Sequence, residues 1–400
     1  MNILFLVPYA PTPIRTRPYN FIRNLARRGH TVTLVTLWEN ERERQSLDDL
    51  EQDRIRIVSA PLTKRRSIWN SMRVLPTRTP LQAVYCWQPA VLHRLDAQIR
   101  SQRFDAIHIE HLRGARYGLW LKSRLPADSR PKVIWDSVDC ISHLFEQAAH
   151  SSRSLFGRLV TRLELNRTRR LEGWLVGQFD HVLVTSPVDK NALERLTSNG
   201  DHLDKITVLS NGVDLNFFAP TDQLREPDAL VFSGKMSYHA NVTAALHLVD
   251  DIMPLIWAQR PNVRVWVVGK DPPAAIRQLA IRDPQRVSVT GTVADIRPYL
   301  ARAAVATCPV EYGAGVQNKV LEAMAMATPV VVTPQAVSAL QTVDGEQVLV
   351  GASPQSFAGS VLRVLENAEL QRKIGQAGRR YVEQYHDWDV ITERLESVYR

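Results

Sequence analysis

The densest chemistry in the chain lies in one run, Cys308-Pro309-Val310-Glu311-Tyr312-Gly313-Ala314-Gly315-Val316-Gln317-Asn318-Lys319-Val320-Leu321-Glu322. It reads as a strand end, a glycine loop and the start of a helix. Gly313 and Gly315 let the backbone approach a ligand closely. The helix that follows offers free N–H groups and the positive end of its dipole. Lys319 stands in the first turn, where a lysine is electrostatically misplaced unless an anion is near. Lys319 and Glu322 are three residues apart and share a helix face. A cation and a carboxylate so placed suit a phosphate and a pair of sugar hydroxyls. The plainer reading is a surface Lys–Glu pair on an ordinary crossover helix.

The first half of the chain has its own reactive residues. Ile107-His108-Ile109-Glu110-His111 carries a strand into a loop. His111 falls at or past the strand end, where open α/β sheets bind ligands. Its near-neutral pKa suits contact with a hydroxyl or proton sharing. Glu110 and His111 both remain candidates, with His111 preferred; without a role they are loop polar residues. Val133-Ile134-Trp135-Asp136-Ser137-Val138-Asp139 ends another strand. Asp136 and Asp139 either touch acceptor hydroxyls or cap the next helix. Arg15 and Arg17, in a loop with Pro8, Pro11, Pro13 and Pro18, suit a phosphorylated or lipid-diphosphate acceptor. No Asp-x-Asp pair stands beside a strand end to clamp a metal; Asp136 and Asp139 come nearest, so neither metal nor cofactor is expected.

These residues need strand ends to hold them. Short apolar runs at 3–7, 31–37, 55–58, 106–109, 133–135, 181–185 and 206–209 alternate with helical patterns. That alternation predicts a mostly parallel sheet covered on both faces. The pattern restarts at 229–232, 263–268, 287–290, 303–307, 330–333 and 348–350, with helices over 243–257 and 318–327 and a mainly helical C-terminal segment. The expected fold is α/β: two doubly wound units in tandem, hinged at 211–228 and facing a central cleft. One unit then holds a donor and the other an acceptor, the architecture of a transferase.

Composition narrows the class. The chain has 400 residues, 44% hydrophobic and 23% charged, which predicts two or three domains with large cores. It excludes a disordered, collagen-like or disulfide-stapled chain. No apolar stretch reaches the roughly 18 residues of a membrane span, and Ile3-Leu4-Phe5-Leu6-Val7 reads as a strand rather than a signal peptide. Cys86, Cys140 and Cys308 are odd in number and match no zinc spacing, so free thiols in a reducing, cytoplasmic compartment are expected.

Residues 1–200 carry 31 Lys and Arg against 19 Asp and Glu, net +12, while residues 201–400 carry 19 against 22, net −3. A basic first half implies an anionic neighbour. Lys64 to Leu75 and Arg153 to Arg170 mix basic, aromatic and apolar residues. Either lies on an anionic membrane surface or is a basic helix that packs its apolar stripe on the first domain. No nucleic-acid-binding signature accompanies the charge. Oligomeric state is not readable.

Leu321-Glu322-Ala323-Met324-Ala325 with Thr328-Pro329-Val330-Val331 resembles the donor-site signature of the retaining glycosyltransferases of family 4, which have two Rossmann-like domains, the GT-B fold. Ala327 stands where that family usually has glycine, and Ala314 where its commonest form has a second glutamate. The form here is closer to a subgroup with Gly-x-Gly-x-x-x-Lys-x-x-Glu. The resemblance implies that Lys319 touches the donor diphosphate and Glu322 the ribose hydroxyls, with Glu311 a further candidate for the transferred sugar. Val231-Phe232-Ser233-Gly234-Lys235-Met236 looks like the family's first donor-domain strand and loop, with Gly234 near the phosphates and Lys235 neutralising them. His239 and Asn241 stand where many members carry a second basic residue. The implied donor set is Gly234, Lys235, Gly313, Gly315, Val316, Asn318, Lys319 and Glu322. The catalytic set is His111, Glu110, Lys235 and Lys319, and the acceptor set Arg15, Asp136 and Asp139.

Asn211-Gly212-Val213-Asp214 resembles the interdomain segment, and the helix after Trp388 the segment that returns to the first domain. The implied domains are 1–210, rejoined by about 383–400, and 211–382. The implied activity is metal-independent, retaining transfer from a nucleoside diphosphate sugar, UDP-linked first and GDP-linked next. The acceptor is a glycan, a lipid-linked saccharide or a small molecule. Residues 133–139, Glu172 and 180–192 are similar to sugar transferases of bacterial exopolysaccharide systems. The rivals are a non-catalytic nucleotide-sugar-binding or scaffold protein of the same fold, and an epimerase or phosphorylase.

Overall fold

The computed structural model describes all residues except 14, 54, 127–129, 152–154, 198–201 and 313–314, and side chains except also 52, 148–151 and 155–162. Each apolar run of the sequence forms a strand, and the described residues build two wholly parallel sheets. Met1–Ser210 with Ile391–Arg400 form unit 1, and Asn211–Val390 form unit 2.

Unit 1 holds β1 (Asn2–Val7), β2 (Thr31–Trp38), β3 (Arg56–Pro61), β4 (Ala106–Glu110), β5 (Lys132–Val138), β6 (His181–Val184) and β7 (Ile206–Val208) in the order β3-β2-β1-β4-β5-β6-β7. Unit 2 holds β8 (Glu226–Ser233), β9 (Arg264–Val268), β10 (Val287–Gly291), β11 (Ala303–Cys308), β12 (Val330–Val332) and β13 (Leu349–Val350) in the order β10-β9-β8-β11-β12-β13. Central strands are buried on both faces, β4 and β11 at every residue, which is why they read as unbroken apolar runs. In each unit the chain leaves the first strand toward one edge and later returns to its other side. The crossovers diverge between β1 and β4, and between β8 and β11, and leave a crevice at the strands' C-terminal ends.

Two boundaries differ from the sequence reading. Residues 383–390 belong to unit 2 rather than unit 1. Val213 N–H donates to the His386 carbonyl at 2.7 Å, the His386 ring meets the Asn211 carbonyl at 2.8 Å, and Gly212 lies against the Trp388 ring. The helix expected from residue 243 starts at His239 and runs to Trp257, with a π turn over Leu248–Ile252. Pro254 follows that turn and has no N–H to continue the regular ladder. All three cysteines are buried and free.

Candidate active site

In unit 2 the crevice is built on glycine. Gly234, just past β8, has φ +150°, and a Cβ there would lie 2.8 Å from Asn241 Nδ2 and 3.2 Å from Lys319 Cε. Only glycine lets those two side chains come this close. Across the crevice, β11 leads through residues 309–317 into the helix Asn318–Ala325. Gly315 there has φ +71°; Gly313, and Ala314 beside it, lie outside the described residues. Gln317 precedes the helix without a side-chain cap, and its first turn holds no acid, so the positive end of the dipole is not offset locally.

Lys319 Nζ donates to Asn241 Oδ1 at 2.9 Å and Gln317 Oε1 at 3.2 Å, and lies 5.7 Å from the centre of the Phe232 ring. Among the described residues both of its hydrogen-bond partners are neutral amides, and it makes no salt bridge. Asn241, 6% exposed, also donates to the Lys235 carbonyl at 3.0 Å. One amide therefore holds the Lys319 ammonium and the Lys235 backbone. In the sequence Asn241 stands out only as a residue where a basic one is usual. Its signal was there: a side chain with both donor and acceptor, seven residues past Gly234. Lys235 itself is exposed, Val316 is buried, and Asn318 accepts from Asn211 Nδ2 at 3.4 Å.

Glu322 is half-buried, and its carboxyl makes no hydrogen bond among the described residues. Burial pushes its carboxyl up to about 7, with Lys319 opposing. Tyr312 pins the loop: its hydroxyl meets His239 Nδ1 at 3.1 Å and Thr243 Oγ1 at 3.0 Å, and its ring stacks on His239. Glu311 is exposed and lies 3.8 Å from His247 Nε2. It lines a cavity of about 340 Å³ with His247, Thr333, Gln335 and Phe357, a lining that includes neither Lys319 nor Glu322. The helix ends in a Schellman arrangement, with Thr328 N–H on the Ala323 carbonyl and Ala327 N–H on that of Met324, both 2.9 Å. Ala327 takes the left-handed position at φ +51°, which explains the glycine usual there.

In unit 1, Tyr9, Arg15, Glu110 and His111 gather at the ends of β1 and β4. Glu110 is 1% exposed and accepts from the Tyr9 hydroxyl at 2.6 Å. Burial and the nearby Asp136 charge push its carboxyl up to about 8, so it is a neutral acid at pH 7. Tyr9 carried no signal of its own in the sequence. Arg15 lies 4.8 Å from the Tyr9 ring centre, donates to the Ala10 carbonyl at 3.1 Å and pairs with Glu43 at 3.1 Å. His111 opens its helix at φ +62°. Burial, then Arg113, hold its imidazole down to about 3. The near-neutral titration expected of it is thus overturned. Nδ1 accepts from the Arg113 N–H at 3.3 Å, which assigns the single proton to Nε2 and makes His111 a donor.

Asp136 does not face a ligand. It is fully buried, accepts from Arg17 Nε at 2.7 Å and the Val138 N–H at 3.1 Å, and lies 3.3 Å from His108 Nε2. Arg17, 4% exposed, goes on to the Leu209 and Ser210 carbonyls at 2.8 and 3.3 Å. Both acceptor assignments are therefore corrected: two buried, opposite charges satisfy each other and tie the start of the first helix to the ends of β5 and β7. Asp139 is half-buried, accepts from Thr185 Oγ1 at 3.3 Å, and is pushed up to about 7 by burial and the charge of Asp189. It does not cap the next helix. Glu172 does, accepting from Ile141 and Ser142 N–H at 2.7 and 3.0 Å.

Residues 14–212 match the glycosyl transferase 4-like domain, and residues 227–367 match glycosyl transferases group 1. The chain belongs to the group 1, family 4-like glycosyltransferases. The first match covers the crevice with Glu110 and His111, the second the crevice with Gly234 and Lys319. No curated protein matches the sequence of this glycosyltransferase. Among solved structures, sucrose-phosphate synthase from Thermosynechococcus elongatus is 17% identical with a TM-score of 0.69, covering 100% of this chain and 98% of that one. Anabaena HepE in complex with UDP is 15% identical at 0.68, covering 100% and 99%. WaaG, a glycosyltransferase involved in lipopolysaccharide biosynthesis, is 14% identical at 0.65, covering 99% of each chain. At these identities the likeness shows the fold, which is the two-domain, Rossmann-like GT-B fold.

Proposed function

We propose that this glycosyltransferase takes its sugar from a nucleoside diphosphate sugar, UDP-linked first and GDP-linked next. It passes the sugar, with retention and without a metal, to a hydroxyl of a glycan, lipid-linked saccharide or small molecule. The observation that carries this reading is Lys319, held by neutral amides beside Gly234 at an unshielded helix N-terminus. Such a cation lowers the energy of a departing diphosphate more than that of the intact donor, because negative charge grows on the leaving oxygen. Lys235 adds a second, exposed cation. The half-buried Glu322, whose carboxyl has no hydrogen-bond partner among the described residues, accepts from the paired ribose hydroxyls.

Transfer breaks the bond from sugar to phosphate and forms one to the acceptor oxygen. The acceptor's proton goes to the departing phosphate oxygen, so no protein base is required. His111 fits that chemistry as an Nε2–H donor to a hydroxyl oxygen, with Glu110 positioning Tyr9 beside it. UDP comes first because the HepE structure of the same fold holds UDP. A polysaccharide or lipid-linked acceptor is supported by WaaG's role and by the net +12 of residues 1–200.

The test is thermal shift and calorimetry with UDP, GDP, ADP, CMP and dTDP, with and without EDTA, on wild type and Lys319→Ala. At a hundredfold excess over Kd, binding adds about 2.7 kcal/mol to apparent stability, a shift of several degrees. One diphosphate should give that shift, keep it in EDTA and lose most of it in Lys319→Ala. No shift with any nucleotide on folded protein overturns the reading.

A further inference from the structure

The helix Lys64–Val74 is turned inside out. A surface helix ordinarily buries its apolar stripe and shows water its polar face. Here the buried positions are Ser67 and Asn70, with Asn70 Nδ2 donating to the Trp87 carbonyl at 2.8 Å. The outward face carries Ile68, Trp69, Met72 and, at the helix end, Leu75, exposed by 57, 52, 49 and 55%. The spacing 68, 72, 75 keeps three of them on one line, with Trp69 beside it. Arg167 donates to the Leu75 carbonyl at 2.7 Å, and Leu163, one turn before Arg167 on its own helix, is a further exposed apolar residue, at 54%.

The chain segment that carries this face is basic throughout, and the nearby Glu164 is mostly buried and paired with Arg167 at 3.0 Å. No Asp or Glu occurs between Asp53 and Asp96, a stretch with eight Lys and Arg. Lys64, Arg65, Arg73 and Arg78 are exposed around the apolar residues. A cluster of large apolar side chains left in water marks a surface made to be covered. A second copy of the same face would bring like charges together. No described helix is long and apolar enough to cross a membrane, and this one is too short to. Apolar residues with a tryptophan on one face, flanked by cations, suit a helix lying in the plane of an anionic interface.

We propose that the helix Lys64–Val74 docks unit 1 on an anionic lipid surface. Ile68, Trp69, Met72 and Leu75 enter the headgroup boundary, and Lys64, Arg65, Arg73 and Arg78 meet lipid phosphates. The inference does not rest on the donor assignment. It is tested by flotation of the full chain with vesicles of phosphatidylcholine alone and of phosphatidylcholine with about one-third phosphatidylglycerol. Wild type should float with the anionic vesicles and not with the neutral ones. Each basic residue removed should weaken binding roughly fivefold, so Lys64→Glu with Arg65→Glu should abolish most of it. Trp69→Ser with Met72→Ser should do so as well, even at low salt. These side chains are exposed, so melting temperature and the nucleotide-induced shift should stay unchanged, which separates this result from the fate of the donor reading. Wild type that ignores anionic vesicles, or variants that float like wild type, overturns the proposal. So does a dimer in solution that Trp69→Ser dissolves, since the face would then belong to a second copy.

Discussion

Asn241 is the sharpest lever on the donor crevice, because the structure gives it no role except to hold other groups. Its Oδ1 takes the Lys319 ammonium at 2.9 Å and its Nδ2 reaches the Lys235 carbonyl at 3.0 Å. Lys319→Met removes a charge-assisted contact to the diphosphate, about 2–3 kcal/mol, or roughly 30- to 150-fold in Kd. Asn241→Ala leaves the charge but frees the side chain, which must then be ordered again on binding. That ordering costs about 1 kcal/mol, roughly fivefold. In the double variant there is no Lys319 ammonium left to position, so Asn241→Ala should cost only what its bond to the Lys235 carbonyl contributes, and the cycle should return a coupling approaching about 1 kcal/mol. The assay is calorimetric titration of whichever nucleoside diphosphate stabilises the wild type, in EDTA, with melting curves showing each variant folded. Additive losses would mean that Asn241 acts independently of Lys319. A Lys319→Met variant within twofold of wild type would remove Lys319 from the diphosphate altogether. Either result refutes the reasoning.

Two further outcomes follow from the same geometry. Glu110 is held up near 8 against an ordinary 4.5. Its neutral form therefore favours the folded state below pH 4.5, and that advantage is lost as pH rises toward 8, by up to about 5 kcal/mol. Glu110→Gln mimics the neutral acid, so the difference in unfolding free energy between variant and wild type should swing in the variant's favour across that range in urea titrations at stepped pH; a constant difference refutes the assignment. Ala327→Gly relieves the left-handed alanine at φ +51° and should raise stability by about 1 kcal/mol. An unchanged or lowered urea midpoint would show that the strain is absent.

Much of this protein was legible along the chain. Strands buried on both faces must be continuous apolar runs, so both parallel sheets were visible in the hydrophobic pattern, and glycine spacing marked the loop before Lys319. Those signals are local: a strand's burial and a loop's backbone freedom are written in the residues that form them. What the sequence left open was decided by partners far away. Asp136 at a strand end looks like a ligand contact until Arg17, 119 residues earlier, closes over it. His111 looks like a proton carrier until burial in the folded chain holds it neutral. Asn241 looks like a lost cation until it meets Lys319, 78 residues on. The helix Lys64–Val74 has an apolar stripe in either orientation, and only the packing of Ser67 and Asn70 shows that the stripe faces out. Pattern states which residues share a face; which way that face points, and how a charge on it titrates, depends on desolvation and long-range contacts that exist only once the chain has folded.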